Sequence, residues 1–476
     1  MTDVVIAGGG PTGLMLALEL RLAGVDVLVV EKAGNLDDTE SRAGGVHPRT
    51  MEVLDQRGLL DPFLAQGRPI QATHFGGLRM DVSDMPTPYP YTLAILQNRV
   101  VRLLEDRLDV PVRWNSPVTA VNQDANGVEV TVGTDVVSAQ YLVGCDGSHS
   151  AVRKLAGIPF EGTDPTLTAL LGDVSLTHPP ADTIFQRRTP TGDYSVVQFE
   201  EGWYRVMTTQ YDHVTPKSAP MTMEILRSTM RDIAGTDFGM HSPRWVSRFN
   251  DAARLAATYR VGRILLAGDA AHIHFPAGGQ GLNTGVQDAV NLGWKLAAVL
   301  QGRVPQSLLD TYVTERRPVG ERVVHNTRAQ TVINRPGAHV DALRDVLAGL
   351  ISMDDVRHSL AGMIGGLDIH YDLGVGHPLL GRRMPDLALK TSGGDTRVLE
   401  LLRSGRPVLL DLGAGVAEVP GVDVVRTRCE LEEWELPVLG AVAAVDAVLI
   451  RPDGYVAWTS AGPGTLTDAL ATWFGI

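Results

Sequence analysis

The chain has 476 residues, of which 44% are hydrophobic and 20% charged, as in an ordinary soluble globular protein with room for two or three domain cores. Its formal net charge of -13 is spread without a basic or acidic block, which argues against a nucleic-acid-binding surface and says little about a small substrate. The two cysteines, Cys145 and Cys429, make neither a metal or redox spacing nor a disulfide framework, so a reducing cytoplasm is the expected compartment. No basic region precedes the first apolar run, so no signal peptide is read, and the apolar stretch 14–22 carries Glu19 and Arg21 and is too short to span a bilayer. No membrane association is expected.

In chain order, residues 4–7 read as a short buried strand, 8–13 as a glycine-rich turn, and 14–23 as a helix with Gly24 at its C-cap position. Residues 25–30 form a second buried strand, and Pro48 stands where the first turn of a helix tolerates proline, giving a helix to about residue 58. Another helix is expected over 97–108, then antiparallel strands at 118–121, 127–132 and 136–139, and a separate buried strand at 141–144. Composition shifts over 167–248, where alternating stretches such as 194–199 and 203–209 mark a β-rich insert. Residues 263–267 are again a short apolar strand; a long helix is expected over 285–301, with more helix to about 364. A Gly/Pro-rich stretch at 374–385 reads as a linker. Beyond it, strands at 408–412, 422–426 and 445–450 and a hairpin turn at 452–454 leading into 455–458 make a separate C-terminal domain.

The opening segment carries a dinucleotide fingerprint. Gly8, Gly10 and Gly13 follow a strand and open a helix, and Glu31 ends the next strand about 20 residues on. Gly8 permits the tight turn, Gly10 lets pyrophosphate approach the backbone, and Gly13 lets helix and strand pack closely. The helix N-terminus supplies N–H groups and positive dipole to the phosphates, and Glu31 accepts from ribose hydroxyls. Taken alone, this does not separate FAD from NAD.

Two later stretches do. Cys145-Asp146-Gly147-Ser148-His149-Ser150-Ala151-Val152-Arg153 resembles the Asp-Gly motif of the class A flavoprotein aromatic hydroxylases. The run from Gly268-Asp269 through Pro276 to Gly281-Leu282-Asn283 resembles their second FAD motif. Within that family the chain is most similar to the actinobacterial aromatic-polyketide hydroxylases and rifampicin monooxygenases, through Arg49 to Gly58 and Ala234 to Gly239. The resemblance implies an α/β fold: a Rossmann-like FAD-binding domain (1–70, 96–172 and 254–372), an interleaved β-sheet substrate domain (71–95 and 173–253), and a thioredoxin-like C-terminal domain (373–476). With Cys429 its only cysteine, that last domain has no Cys-x-x-Cys and no dithiol chemistry, so a structural or dimer-supporting role is the default.

Site residues follow from the same resemblance. FAD contacts are expected from Gly8, Gly10, Pro11, Thr12, Gly13, Glu31, Lys32, Arg42, Gln97, Val121, Asp146, Gly147, Gly268, Asp269, Pro276, Gly279, Gly281, Leu282 and Asn283. Asp269 would meet the ribityl or pyrophosphate, a role compatible with capping the turn after it. Gly281, Leu282 and Asn283 would turn backbone N–H groups toward the pyrimidine edge of the isoalloxazine, where reduced flavin carries negative charge. Arg42 matches a family arginine near the pyrophosphate and the moving flavin, and Pro276 lies beside the ring face with a carbonyl to offer; these two are the expected catalytic positions. Asp146 and Arg153 are implicated in both FAD and NAD(P)H contacts. Phe75, Tyr204, Arg205 and Met207 are the expected substrate contacts, Trp245 and Phe249 are read as core, and His272 and His274 as structural or hydrogen-bonding residues with no metal.

The implied reaction is NAD(P)H-dependent monooxygenation of a phenolic polyketide-type substrate through a flavin C4a-hydroperoxide, in a monomer or homodimer. Inactivation of a rifamycin-type antibiotic, Baeyer–Villiger oxygenation, a non-catalytic flavin-binding protein and a plain NAD-dependent dehydrogenase are the competing readings. No second Rossmann fingerprint is present for the nicotinamide. No convincing acid/base pair appears in the sequence, and a phenolate substrate would need little enzymatic base.

Overall fold

The computed structural model describes residues 2–36, 41, 43–216 and 218–476. The chain opens with strand β1 (Thr2–Ala7), helix α1 (Pro11–Leu22) and strand β2 (Val27–Val30). Val4, Val5 and Ile6 are wholly buried, as expected for a parallel strand covered on both faces. β1 and β2 pair in parallel, with Val4 opposite Val27 and Ala7 opposite Val30. Helix α2 (Pro48–Asp55) follows, with Pro48 in its first turn, and then the hairpin β3 (Ala72–Phe75) and β4 (Leu78–Asp81).

Strands β5 (Val118–Gln123), β6 (Val128–Val132) and β7 (Asp135–Gly144) form an antiparallel meander. β7 is one strand, where the sequence suggested two separated at Gln140. Its first half pairs with β6 up to Ala139, and its second half runs parallel to β1 from Tyr141 to Gly144. Gln140 sits at the handover, its amide donating to Asp3 at 2.8 Å, so the polar interruption is satisfied within the strand. The parallel core of this sheet runs Val112–Arg113, β2, β1, β7, Ile264–Leu266.

A second sheet is antiparallel throughout. Its strands are β8 (Leu167–Leu176), β9 (Ile184–Thr189), β10 (Gly192–Glu200), β11 (Trp203–Tyr211) and β12 (Met240–Asn250), in the spatial order β9-β10-β11-β8-β12. Helix α3 (Met223–Ala234) covers one face, where Leu226, Met230 and Ile233 pack on Leu170, Val174, Tyr194, Val196 and Val206. The boundary placed at 172 falls inside β8, which belongs to this sheet from Leu167 onward. Of the segment 71–95, β3 and β4 pair only with each other, and Thr92–Ala94 pairs with Gly45–Val46 and Arg68–Ile70, so it borders the sheet without joining it.

Helices α4 (Gln280–Leu300), α5 (Leu308–Asn334), α6 (Ala338–Ile351) and α7 (Asp354–Gly365) follow. α4 begins at Gln280 rather than Gly285. Gly285 is not a breaker but the place where the helix passes against Thr12, and a Cβ there would strike the threonine hydroxyl. The C-terminal region has strands β13 (Ala388–Thr391), β14 (Val408–Asp411), β15 (Asp423–Arg428), β16 (Ala447–Ile450) and β17 (Val456–Thr459), and helix α8 (Leu466–Phe474). β14 and β15 are parallel, with β16 and β17 added antiparallel.

The stretch 374–385 is not a free linker: Leu379 and Met384 are buried, and the N–H groups of Gly381 and Met384 donate to Val456 and Gly454 at 2.9 Å each. The β16–β17 turn, read correctly as a hairpin turn, is buried and charged. Arg451 and Asp453 enter between α2, α4 and α5, where Arg451 meets Glu315 at 2.7 and 2.8 Å and the Asp453 carbonyl accepts from Arg49 at 2.8 Å.

Candidate active site

The loop after β1 is shaped by two close approaches. Gly8 has φ +116°, and a Cβ on it would collide with the Cys145 carbonyl at the end of β7; a Cβ on Gly13 would collide with the Gly8 carbonyl. Gly10 has the opposite environment, with nothing within 4 Å of the Cβ position, so the loop is tight behind and open in front. Pro11 is the first residue of α1, whose leading N–H groups have no carbonyl one turn back. This is an anion cradle that fits the pyrophosphate of an FAD.

Glu31 ends β2 and already serves the backbone: its two oxygens accept from Gly9 at 2.8 Å and Ala33 at 3.0 Å, leaving further lone pairs for a ribose. Lys32 beside it is exposed. Thr12 is turned into the contact with Gly268 and Gly285. The Gln97 side-chain oxygen accepts from Ala43 at 2.9 Å, and Val121 packs partly buried on the main core.

The Asp-Gly motif is more structural than the sequence suggested. Asp146 accepts from Ser150 Oγ at 2.5 Å and from Ala151 N–H at 2.6 Å, so its carboxylate caps the helix Ala151–Leu155. Arg153 is buried, stacks on Phe160, and donates to the Ala270 carbonyl at 2.8 Å, which ties this motif to the second one. Asp269 by contrast is exposed, and its carboxylate takes no hydrogen bond from a described residue. That leaves it open to a cofactor hydroxyl rather than spent as a cap.

Behind Gly268 stands a residue the sequence reading passed over. Asp288 on α4 is fully buried; it accepts from Gly268 N–H at 3.1 Å, lies 2.8 Å from His272 Nε2, and accepts from Arg316 Nε at 2.7 Å. Burial alone would raise its pKa, but the charges of Arg316 and His272 outweigh it and hold the carboxyl below its ordinary range. His272 and His274 both act as hydrogen-bonding residues, the latter through the Phe275 carbonyl at 2.8 Å.

Pro276 is exposed, and its carbonyl accepts from Gly279 N–H at 3.1 Å, so part of its acceptor capacity is committed. Gly281 and Leu282 lie in the first turn of α4, with N–H groups beyond the reach of helical carbonyls. Asn283 lies one residue further in, and its side chain is a pin: it donates to Gly45 and Gly279 at 3.1 and 2.9 Å and accepts from His47 N–H at 2.8 Å. His47, also missed, is buried beside Gly279, and burial lowers its pKa to about 4, so it is neutral near pH 7.

The second sheet presents its other face to this loop. Register places Asp173, Leu171 and Ala169 of β8 on one face with Arg205, Met207, Thr209 and Tyr211 of β11, Asp193 and Ser195 of β10, and Trp245, Ser247 and Phe249 of β12. At one end Phe249 stacks on Phe275 with ring centres 5.6 Å apart, so Phe249, read as core, forms the seam between sheet and flavin loop. At the other end Arg205 is buried, paired with Asp173 at 2.8 Å, and donates to Ser41 and Ala43 carbonyls at 2.5 and 3.1 Å; Trp245 Nε1 also donates to Asp173 at 2.9 Å. Between these two clamps lie Leu171, Met207, Ser195 and Ser247.

The structure places three of the four expected substrate contacts away from the middle of this face. Arg205 is spent holding the Ser41 and Ala43 carbonyls. Tyr204, one residue away, alternates to the opposite face and packs toward α3. Phe75 is buried with Met80, Ile333, Ile351 and Ile364, in the packing of the hairpin on α5–α7. Met207 stays half-buried in the central part of the face, outside both neighbouring apolar clusters. Arg42 lies outside the described residues.

Known proteins match this arrangement over its length. A family model described as an FAD binding domain matches residues 1–327, and one described as the C-terminal part of an aromatic-ring hydroxylase matches 377–476. The chain is 43% identical to a rifampicin monooxygenase from Rhodococcus hoagii, covering 100% of this chain and 98% of the relative. It is also 43% identical to a dialkyldecalin synthase from Streptomyces rugosporus, covering 100% and 99%. Among solved structures, OxyS anhydrotetracycline hydroxylase from Streptomyces rimosus superposes with a TM-score of 0.89 at 42% identity, covering 100% and 99% of the two chains. The open pyrophosphate cradle, the second motif at the start of α4 and these full-length matches lead to one conclusion: the chain belongs to the FAD-dependent aromatic-ring hydroxylase family of monooxygenases.

Proposed function

We propose that this monooxygenase uses NAD(P)H and O2 to oxygenate a phenolic polycyclic substrate of polyketide type, held between the β8–β12 sheet face and the 275–283 loop, in the cytoplasm as a monomer or homodimer. The observation that carries this reading is the placement of Leu171, Met207, Ser195 and Ser247 between the Phe249–Phe275 seam and the Arg205 clamp. This mixed apolar and hydroxyl surface faces the loop that holds Pro276.

Bound FAD would supply electron transfer from NAD(P)H and the activation of O2. The chain's own work is binding, orientation and exclusion of water. Gly8, Gly10 and Gly13 with the start of α1 would hold the pyrophosphate, Glu31 the ribose and Asp269 a ribityl hydroxyl. The N–H groups of Gly281 and Leu282 would face the negative pyrimidine edge of the reduced ring. Asn283 fixes the loop to Gly45 and His47, Asp288 fixes Gly268 from behind, and the seam at Phe249–Phe275 shuts one end of the cleft against solvent.

The test is the purified holoprotein with anhydrotetracycline and a panel of polycyclic phenols and ansamycins. The expected result is yellow protein whose NAD(P)H consumption rises with substrate and whose product gains one oxygen atom. Colourless protein that cannot be reconstituted with FAD refutes the reading. The similarity to a dialkyldecalin synthase supports a second reading, a flavin-binding cyclase; flavin retention with no NAD(P)H consumption across the panel would favour it. An ansamycin turned over in preference to the phenols would indicate the antibiotic-inactivating alternative, and ring expansion with lactone formation the Baeyer–Villiger one.

A further inference from the structure

We infer that Asp193 and Tyr211 form a proton-accepting pair for a substrate hydroxyl, an acid–base element of the reaction proposed above, on which this inference rests. Asp193 lies near the start of β10 and Tyr211 at the end of β11. Strand alternation puts both on the loop-facing side of the sheet, in one row with Met207 and Ser195. Tyr211 donates its hydroxyl to Asp193 at 2.5 Å, and it packs against the cluster of Leu167, Ala169, Phe275 and Ala277, the last two of which flank Pro276 in the chain.

Asp193 is 3% exposed and has no ion pair within 4.0 Å among the described residues, unlike the equally buried Asp173 with its Arg205. A buried carboxylate held by a phenol rather than a cation, on the face that meets the reacting loop, is costly for folding alone. Burial pushes its proton affinity up, opposed by the Tyr211 hydrogen bond and by the more distant charges of Arg188 on β9 and Arg344 on α6. Burial and the Asp193 charge likewise raise that of Tyr211. The other groups facing the pair are the Thr209 side chain and Arg335, which lies 5.4 Å over the Tyr211 ring and is itself paired with Asp212.

The step balances without a further reactant. As the substrate ring is oxygenated, its hydroxyl O–H bond breaks and the proton passes to Tyr211 Oη. The Tyr211 O–H bond breaks in turn, its proton passing to Asp193 Oδ2, and the electron pair left on the substrate oxygen is drawn into the ring as that oxygen becomes a carbonyl. Rearomatisation then breaks the C–H bond at the oxygenated carbon, its proton leaving to water and its electron pair restoring the ring, while Asp193 returns its proton through Tyr211 to the carbonyl oxygen, which becomes a hydroxyl again. Tyr211 is the contacting residue and Asp193 the base behind it.

The experiment compares wild-type, Tyr211→Phe and Asp193→Asn holoenzymes, matched for FAD content, across pH 5.5–9.5 (about one unit steps). The probe is the panel phenol that the wild type turns over, with its O-methyl ether as control. For the phenol the variants are expected to lose at least about tenfold in product formed per NAD(P)H near pH 6.5, with KM changed less than about threefold. They should recover toward the wild-type rate as rising pH ionises the phenol unaided. The methyl ether, having no proton to give, should not distinguish wild type from variants. Unchanged coupling and an unchanged pH profile in both variants overturn the inference, and if Asp193→Asn does not fold, Tyr211→Phe decides alone. A wild type that turns over none of the phenols overturns the functional reading itself, and this inference with it.

Discussion

Replacing Arg451 by Met tests whether the buried charge at the β16–β17 turn holds the two halves of the molecule together. Arg451 is fully buried and makes two hydrogen bonds to Glu315, at 2.7 and 2.8 Å, and two to Asp453, at 3.1 and 2.5 Å. Its guanidinium also lies 4.7 Å over the Trp473 ring. Methionine keeps most of the volume, so the cavity contribution is small and the charge dominates. Glu315 and Asp453 are left as neighbouring buried carboxylates with Lys295, which meets Glu315 at 2.8 Å. Burial, with the neighbouring Arg451 charge, depresses Lys295 to about 8, and its single ammonium cannot balance both carboxylates once Arg451 is gone. Removing one partner of such a pair costs about 3–5 kcal/mol.

The size of the thermal shift then reports how the molecule unfolds. At roughly 2 cal/mol/K per residue, a chain of this length unfolding as one unit has an unfolding entropy of about 1 kcal/mol/K, giving a Tm drop of about 3–5 °C. A C-terminal domain of about 100 residues melting alone would have about one fifth of that entropy and drop by about 15–25 °C. Differential scanning calorimetry of wild type, Arg451→Met, Glu315→Gln and the double variant is the assay. The double variant should be at least about 1 kcal/mol more stable than additivity requires, because Glu315→Gln removes the charge that was stranded. A shift under about 1 °C, or an additive cycle, refutes the reasoning.

Three further outcomes are expected. Gly13→Ala should yield protein with FAD affinity at least about 100-fold weaker, read from the flavin-to-protein absorbance ratio after dialysis, because its Cβ meets the Gly8 carbonyl rather than a movable side chain. Met207→Ala should raise KM about tenfold, a loss of about 1–2 kcal/mol of contact, whereas Tyr204→Phe, on the α3 face, should leave steady-state kinetics within about twofold. Acid should destabilise the domain junction: burial raises the Glu315 carboxyl, but Arg451 and Lys295 outweigh it and hold it at about 2 against an ordinary 4.5. Its folded pKa is depressed, so its stabilisation is complete above about pH 4.5 and is lost as pH falls toward 2. In urea melts the acid limb should be shallower in Glu315→Gln, by up to about 3 kcal/mol between those limits.

The features legible in the sequence are those whose physics is local. The Gly8–Gly13 turn, the Glu31 position and the start of the second motif depend on residues within one supersecondary unit, and the structure places them as read. The errors arise where a partner distant in sequence decides. Gln140 looked like a strand end because its role is to change partners within β7. Gly285 looked like a helix start because the Thr12 that requires a glycine there lies far away in the chain. Tyr204 and Arg205 are both expected at the substrate because both lie in the β-rich insert, yet a strand sends neighbours to opposite faces, and only the burial of α3 says which face is which. Asp193 and Tyr211 carry no motif at all; register across β10 and β11 brings them together.

Contacts with helices α2, α4 and α5 give the C-terminal region a structural role, where its single cysteine excludes dithiol chemistry. Its turn residues contact α2 through Arg49, α4 through Asn291 at 3.2 Å from Asp453, and α5 through Glu315. α4 is a single helix from Gln280 to Leu300, so Asn291 and the first-turn residues Gly281 and Leu282 share one rigid body. α5 is bound to the same body through Arg316, which grips both Asp288 and the Thr284 carbonyl. Tyr371 links Arg316, at 3.1 Å, to Tyr455 of the turn, ring centres 4.3 Å apart. A displacement of the β16–β17 turn therefore cannot be absorbed by a loop. It moves α4, and with it the N–H groups expected to face the flavin and the Asp288 carboxylate that fixes Gly268. On this account the Arg451→Met holoenzyme should lose FAD affinity along with stability, whereas a domain serving only to join subunits would lose association and keep its flavin.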